Sequence, residues 1–261
     1  MNGNYDYGRG GIIGIGTPQA NPTVEAEMRI LFPANVLLAV ARLTSTAAEP
    51  LDRLLDYLHG LSGALTQFDT LYPAAFGFGC TGSSYLVTPE AQSALIERLE
   101  QRFGYPIVTA TDAIAWRLRA LGAKKIALAS PYPATLADAA TTFWRAAGFD
   151  VAEVRRIDTG RADTRGIYTL GTRDAKATAE ELSALDVDAV LLSGTGMPSL
   201  ALIAQAGADA ESGKGATPVL SSNLCLALRL CDVAGIPAPR LSDWAPRLAE
   251  AIAPPAGETA Q

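Results

Sequence analysis

Short apolar runs alternate with longer segments of helical periodicity along nearly the whole chain. The apolar runs predict eight buried strands, at 11–16, 34–40, 74–79, 106–110, 124–130, 150–157, 188–194 and 218–222. Apolar residues recur at helical spacing between them, in 51–61, 89–103, 111–122, 134–148, 174–185 and 223–235. Continuous apolar strands that alternate with helices indicate parallel sheets covered on both faces. We therefore predict an α/β fold.

The second half of the chain repeats the order of segments found in the first half. Three blocks recur in the same order and at nearly the same spacing: 12–18 with 126–132, 77–84 with 191–199, and 105–123 with 217–235. In the middle pair, GFGCTGSS and LLSGTGMPS, Gly194 takes the place of Cys80. The repeat predicts two similar doubly wound, flavodoxin-like parallel-sheet lobes related by a pseudo-two-fold axis.

Polar turns follow four of the predicted strands. TPQAN and CTGSS lie in the first half of the chain, and SPYP and SGTG lie in the second half. In open α/β sheets, ligands bind outside the carboxyl ends of the strands. Two facing lobes would therefore enclose one site between them.

Composition narrows the class of protein. With 261 residues, of which 49% are hydrophobic and 18% charged, the chain can form a large globular core. The net charge of −6 and the absence of a Lys/Arg run argue against a nucleic-acid surface. No apolar stretch approaches the roughly 20 residues that cross a bilayer, so no membrane association is expected. The first residues show no signal-peptide pattern, and the expected location is cytoplasmic.

The residues needed for common cofactor and metal sites are missing from the sequence. The three cysteines have no CxxC or CxxH spacing, and His59 is the single histidine. A structural zinc site and a Ser-His-Asp triad are therefore disfavoured. HExxH and P-loop motifs are also absent from the sequence. The sequence therefore gives no support to a required metal or nicotinamide cofactor.

Cys80 differs from the other two cysteines in its sequence surroundings. It ends an apolar run and opens a turn rich in glycine and hydroxyl residues, where free backbone N–H groups can lower the pKa of a thiol. Cys225 and Cys231 lie in an apolar helical pattern, which is typical of cysteines that pack as small hydrophobic side chains. We therefore predict that Cys80 is the catalytic residue.

The two repeated turns offer hydrogen-bond donors for a carboxylate. Thr81 and Ser83 carry hydroxyl groups, and the turn of Gly194, Thr195 and Gly196 offers a hydroxyl and backbone N–H groups from the other half. A substrate carboxylate or enolate oxygen needs several preorganised donors in a pocket that excludes water. We expect both turns to bind a small carboxylate substrate.

The ordered motifs resemble those of a known superfamily. GTPQANPTVEAE, GCTGSS, SPYP, LLSGTG and PVLSSNLCLAL together cover most of residues 11–235. They resemble the aspartate/glutamate racemase superfamily, in the branch of maleate cis-trans isomerases and arylmalonate decarboxylases. The resemblance implies a cofactor-free enzyme of two similar α/β domains that acts on small acids with one or two carboxylates.

The resemblance also implies one cysteine position in each half, on opposite faces of the substrate. Racemases of the superfamily use both cysteines, isomerases usually carry both, and arylmalonate decarboxylases keep the second one. This chain keeps the first, Cys80, and has Gly194 at the second position. By the same resemblance, Asn21 contacts the substrate, and the phenol of Tyr132 donates to a carboxylate.

The domain boundaries follow from the resemblance as well. We expect a first lobe formed by 1–105 and 217–261 and a second lobe formed by 106–216, with the active site between them. Each strand-helix unit that ends a half, 106–123 and 218–235, would then complete the opposite lobe. The sequence leaves the oligomeric state open, a homo-oligomer included.

Two reactions that need a single cysteine remain open. In the first and favoured one, the Cys80 thiolate adds to the double bond of a cis-dicarboxylate such as maleate and leaves after rotation. In the second, a disubstituted malonate loses CO₂, and Cys80 protonates the enediolate as a general acid. A two-base racemase is disfavoured because Gly194 has no side chain. A non-catalytic relative that binds a carboxylate is the remaining alternative.

Overall fold

The computed structural model describes residues 6–211 and 217–253.

The first four strands form one parallel sheet. The strands of the first sheet have the order β2-β1-β3-β4 and comprise β1 (Ile12–Pro18), β2 (Leu37–Leu43), β3 (Ala75–Phe78) and β4 (Ile107–Thr109). All three pairings in this sheet are parallel.

The last four strands form a second sheet of the same kind. Its order is β6-β5-β7-β8, with β5 (Lys125–Ser130), β6 (Asp150–Arg156), β7 (Ala189–Leu192) and β8 (Val219–Ser221). The second order is the first one repeated, since β5 takes the place of β1 and β7 the place of β3. The predicted α/β class, with two similar parallel-sheet lobes, is confirmed.

Eleven helices and one 3-10 helix lie within the described residues. They are α1 (Thr23–Leu31), α2 (Pro50–His59), α3 (Leu61–Thr66), α4 (Thr81–Ser84), α5 (Pro89–Phe103), α6 (Ala110–Ala120), α7 (Ala134–Ala146), the 3-10 helix Thr164–Thr169, α8 (Thr172–Ser183), α9 (Leu200–Glu211), α10 (Ser222–Ala234) and α11 (Leu241–Ala251). No helix in this part of the chain is long and apolar enough to cross a membrane.

Hydroxyl residues at equivalent places in the two halves begin two of these helices. The Oγ1 atom of Thr109, at the end of β4, accepts a hydrogen bond from the N–H group of Asp112. The Oγ atom of Ser221, at the end of β8, accepts one from the N–H group of Leu224. Each cap satisfies a backbone donor that the helix leaves unpaired and contributes about 1 kcal/mol.

The expected domain boundaries are wrong for two strands. β4 pairs with β3 in the first sheet, and β8 pairs with β7 in the second, so each strand completes the lobe it follows. The physical reason is that α5 is a single crossover helix that returns the chain to the free edge of β3, where β4 makes its ladder hydrogen bonds.

The helix that follows β8 packs on the other lobe. α10 follows a strand of the second sheet, yet it packs on α6, β3 and β4 of the first lobe and on α1. The leucines of α10 reach the centre of the first sheet, because a Cβ atom on Gly77 would lie 2.8 Å from Leu230 Cδ1 and 3.4 Å from Leu226 Cδ1. The second half therefore supplies part of the cover of the first sheet.

Candidate active site

Cys80 lies at the start of α4, directly after the central strand β3. Its backbone is extended (φ −148°), and the following residues Thr81–Ser84 turn into the short helix. Gly79 lets this segment approach β1, since a Cβ atom there would lie 3.2 Å from the carbonyl oxygen of Gly16. The Cys80 side chain is buried, and its Sγ atom lies 3.1 Å from the Oγ atom of Ser83.

Burial decides the protonation of this thiol. Removal from water raises the pKa of Cys80, because a thiolate loses its hydration in a buried position. The Ser83 hydroxyl and the N–H groups of Ser83 and Gly82 oppose that rise without cancelling it. The resting form of Cys80 at neutral pH is therefore the thiol.

The repeated turn of the second half reaches the segment just before Cys80. Gly194 follows β7 with φ +115°, and its N–H group donates to the Oγ atom of Ser222 at 3.1 Å. The Oγ1 atom of Thr195 donates to the carbonyl oxygen of Gly79 at 2.9 Å. The structure therefore brings together the two turns that the sequence repeat paired.

The Tyr132 phenol lies between the two turns. Its hydroxyl is 2.7 Å from Oγ1 of Thr81, and a Cβ atom on Gly194 would lie 3.6 Å from the same hydroxyl. Burial raises the pKa of Tyr132 well above its usual value. The phenol is therefore neutral and able to donate a hydrogen bond in the site.

Asn21 stands at the start of α1 on the first-lobe side of the site. Its Oδ1 atom accepts from the N–H groups of Thr23 (2.9 Å) and Val24 (3.2 Å) and thereby caps the helix. Its Nδ2 group faces the second-half turn and lies 3.5 Å from Oγ1 of Thr195. The amide group of Asn21 is thus oriented by α1 toward the residues opposite Cys80.

Glu27 on α1 ties the second-half turn to the first lobe. Its carboxylate accepts hydrogen bonds from the N–H groups of Ser199 (2.6 Å) and Leu200 (3.1 Å), at the start of α9. It also accepts from Nδ2 of Asn223 (2.7 Å), and this amide donates to the carbonyl oxygen of Thr195 at 3.0 Å. Burial raises the pKa of Glu27, and these hydrogen bonds oppose the rise. The carboxylate holds the turn through Asn223.

Three further tyrosines line the surroundings of Cys80. Burial raises the pKa of Tyr57, of Tyr85 (to about 12) and of Tyr168, and the charge of an ionised Cys80 would raise each one further. The Tyr168 ring lies directly against Gly196, where a Cβ atom would be 2.7 Å from Cε1 of the ring. Gly196 is therefore required for this close approach.

Tyr85 joins the two lobes. Its hydroxyl lies 2.8 Å from the Oγ atom of Ser193, the residue before the second-half turn. It also accepts a hydrogen bond from Nε1 of Trp144 at 3.3 Å, and both rings pack edge to face. This contact fixes the spacing between the two lobes.

Comparison with known proteins agrees with this architecture. Residues 13–239 match the family model described as arylmalonate decarboxylase. The chain belongs to the arylmalonate decarboxylase family. This match and the relatives below confirm the predicted branch of the superfamily.

Relatives of this family member include isomerases and decarboxylases. A maleate isomerase of Nocardia farcinica is 27% identical over 220 residues, which cover 80% of this chain and 84% of the relative. The structure of a cysteine-to-serine mutant of the Nocardia farcinica maleate cis-trans isomerase, with a covalently bound succinylcysteine intermediate, matches with a TM-score of 0.76 at 23% identity over 89% of this chain and 98% of that chain. An arylmalonate decarboxylase structure matches with a TM-score of 0.71 at 21% identity over 88% of this chain and 98% of that chain.

The sequence also raised Cys225, Cys231 and His59 as residues to be placed in the structure. Cys225 and Cys231 are fully buried in α10, away from solvent. His59 is the exposed last residue of α2. Sequence reasoning missed Tyr57, Tyr85, Tyr168 and Glu27. Glu27 does lie within the motif GTPQANPTVEAE, but its partners Ser199 and Asn223 are more than 170 residues away, and no local pattern signals such a contact.

Gly194 cannot accept a side chain without strain. We expect Gly194→Ala to lower the free energy of unfolding by about 1–3 kcal/mol, because φ +115° is unfavourable for L-residues. The new Cβ atom would also lie 3.0 Å from Cγ of Pro131. Urea unfolding measures the change.

A matched control for this substitution is Gly104→Ala. Gly104 also has a positive φ, +79°, but no heavy atom lies within 4 Å of the Cβ position. The Gly104→Ala variant should lose less free energy of unfolding than the Gly194→Ala variant. A Gly194→Ala variant as stable as the parent protein would contradict the close contact with Pro131 and would reopen the second position to a thiol.

Proposed function

We propose that this protein catalyses the cis-trans isomerisation of a small dicarboxylate such as maleate, without a cofactor, through a covalent adduct on Cys80. The observation that carries the proposal is the buried Cys80 thiol, 3.1 Å from the Ser83 hydroxyl, in a turn whose Thr81 hydroxyl meets the Tyr132 phenol of the second lobe. One nucleophile is sufficient for this reaction.

The reaction needs no net proton transfer. The Cys80 thiolate forms a bond from Sγ to one alkene carbon, and the π electrons move onto the other carbon and its carboxylate as an enediolate. Rotation about the resulting single bond exchanges cis for trans. The electrons then return, the double bond re-forms, and the S–C bond breaks to release the thiolate.

The donors around Cys80 would stabilise the enediolate. We assign this role to the Thr81 hydroxyl, the Tyr132 phenol and the N–H groups of Thr195 and Gly196, because they are fixed before substrate binds. The Ser83 hydroxyl, 3.1 Å from Sγ, would stabilise the thiolate before addition and after release. Asn21 would orient the substrate from the first lobe.

The relatives support a covalent adduct on one thiol when a second cysteine is absent. The Nocardia farcinica maleate cis-trans isomerase still holds a succinylcysteine intermediate after one of its cysteines is changed to serine. This chain carries one cysteine where the two repeated turns meet. The relationship therefore supports an adduct on Cys80 in a site that has no thiol at the second position.

A second candidate function is favoured by the protonation of the thiol. Burial raises the pKa of Cys80, so the resting side chain is a proton donor. In this reaction an arylmalonate loses CO₂ by cleavage of a C–C bond. The electron pair forms an enediolate on the same donors, and Cys80 protonates its carbon and is itself reprotonated by solvent.

The test is incubation with maleate and, separately, with phenylmalonate. For the isomerase we expect fumarate by NMR spectroscopy and an intact mass increased by one maleic acid after rapid acid quenching. We expect kcat/KM for maleate to rise about tenfold per pH unit below the pKa of Cys80, because the thiolate fraction rises in that way.

The second candidate predicts the opposite pH dependence. If Cys80 acts as a proton donor, kcat/KM for phenylmalonate should be constant below the pKa of Cys80 and should fall above that pKa. Release of CO₂ from phenylmalonate without fumarate formation from maleate would replace the isomerase by the decarboxylase. No turnover of either diacid would contradict both and leave a binding protein.

A further inference from the structure

Arg53 on α2 is a buried cation next to the candidate site. Its side chain is 4% exposed, and among the described side chains it is the one arginine or lysine that is buried. Its Nη2 group donates to Oδ1 of Asp163 at 2.7 Å, across 110 residues of chain. Burying a charge is costly unless the charge is paired and hydrogen-bonded, so this position calls for an explanation.

The ion pair joins the two segments that pack against the two donor turns. Leu54, the neighbour of Arg53, contacts the Cys80 turn, because a Cβ atom on Gly82 would lie 3.2 Å from its Cδ1 atom. Asp163 begins the 3-10 helix Thr164–Thr169, and Tyr168 of this helix lies against Gly196. Arg53 and Asp163 therefore meet where the first lobe faces the second lobe.

Asp163 has a second cationic partner. Arg165 donates to the Asp163 carboxylate from its backbone N–H group (2.8 Å), from Nε (3.1 Å) and from Nη2 (2.7 Å). Chiefly because of the hydrogen bonds from Arg165, the pKa of Asp163 falls to about 2, so it is ionised at neutral pH. Two arginines and one aspartate leave one unit of excess positive charge.

We propose that Arg53 is the specificity-determining residue that binds the second carboxylate of the substrate, and that Asp163 holds its guanidinium until a dicarboxylate enters. The inference rests on the proposed function in that a dicarboxylate binds beside Cys80. A guanidinium binds a carboxylate through two parallel hydrogen bonds, so a substrate carboxylate can replace Asp163 without leaving a buried charge unpaired. Asp163 keeps Arg165 as its partner after the exchange.

The proposal separates diacids from monoacids. A substrate with one carboxylate would use the donors around Cys80 and leave Arg53 on Asp163. A substrate with two carboxylates would reach both sites. Selection would then come from the charge-assisted pair that only a diacid forms with Arg53, and such a pair is worth about 10- to 100-fold in affinity.

Binding of unreactive acids tests this assignment. We would measure the Kd values of succinate and of butyrate by calorimetry for the parent protein, Arg53→Met and Asp163→Asn, with Arg165→Met as the matched control. Arg53→Met should bind succinate about 10- to 100-fold more weakly and butyrate unchanged. Asp163→Asn should bind succinate as tightly as the parent protein or more tightly, because the competing charge is gone. Arg165→Met should keep the preference for succinate.

Several outcomes would overturn the assignment. It fails if Arg53→Met binds succinate as the parent does, if the parent does not prefer succinate to butyrate, or if Asp163→Asn weakens succinate as much as Arg53→Met does. The last result would mean that the ion pair is only a strut between the lobes. If Arg53→Met does not fold, Arg53→Lys keeps the charge and loses the paired geometry, and it should still bind succinate more weakly than the parent.

The test is separable from the proposed reaction. Succinate selectivity that depends on Arg53, together with no turnover of maleate, would refute the isomerase and leave this inference standing. Turnover of maleate with unchanged kcat/KM in Arg53→Met would refute the inference and leave the isomerase standing.

Discussion

Replacing Cys80 with serine is expected to lower kcat for maleate by about 10⁴-fold or more, because the reaction has no other nucleophile. A serine hydroxyl has nearly the shape of the thiol but stays protonated at every pH at which the protein is folded. The side chain is 4% exposed at a strand end, so the change should leave the free energy of unfolding within about 1 kcal/mol. Activity assays and urea unfolding on the same sample separate the two effects.

Cys231→Ala is the control for the Cys80 substitution. Cys231 is fully buried in α10, so this variant should lose stability as it opens a small cavity. Its kcat should stay close to that of the parent protein. Residual turnover of Cys80→Ser within tenfold of the parent would rule out both reactions proposed for the thiol.

Replacing Glu27 with alanine is expected to lower the free energy of unfolding by about 3 kcal/mol or more. The substitution leaves the buried N–H groups of Ser199 and Leu200 and the amide of Asn223 without their acceptor, and each unsatisfied donor costs about 1–3 kcal/mol. Asn223 would also lose the partner that directs it to the carbonyl of Thr195, so kcat should fall through displacement of the turn.

Two further variants sharpen the Glu27 experiment. Glu27→Gln keeps one acceptor oxygen and should have an intermediate effect on both stability and kcat. Glu25→Gln, on the same helix, removes a partly exposed carboxylate that pairs with Arg29 and Arg42, and it should change stability by less than about 1 kcal/mol. Equal effects of the Glu25 and Glu27 substitutions would contradict the positioning role of Glu27.

Local pattern predicted much of the fold. The sequence predicted all eight strands because their apolar runs are continuous, and the repeat aligned Gly194 with Cys80. Helix α1 escaped notice, since TVEAEMRIL is a short segment that follows an Asn-Pro turn. Helix α11 was missed as well, and it contains Pro246, which interrupts the helical signal.

Long-range pairing limited the prediction of the site. Cys80 and its hydroxyl neighbours belong to one turn, so they could be predicted from adjacent residues in the sequence. Arg53 and Asp163 are 110 residues apart, and neither belongs to a repeated block, so their contact has no signature in the sequence. The pairing of β4 and β8 depended likewise on which free strand edge each one reached, and apolar periodicity does not encode that choice.

The position of α10 has a consequence for the synthesis of the protein. Leu226 and Leu230 cover β3, the strand that leads to the thiol, yet the ribosome makes them about 150 residues after Gly77. At about 5–20 residues per second, the interval is on the order of 10 s. During that time α10 leaves its part of the first sheet uncovered, and the first lobe cannot be completed until Leu230 has been translated.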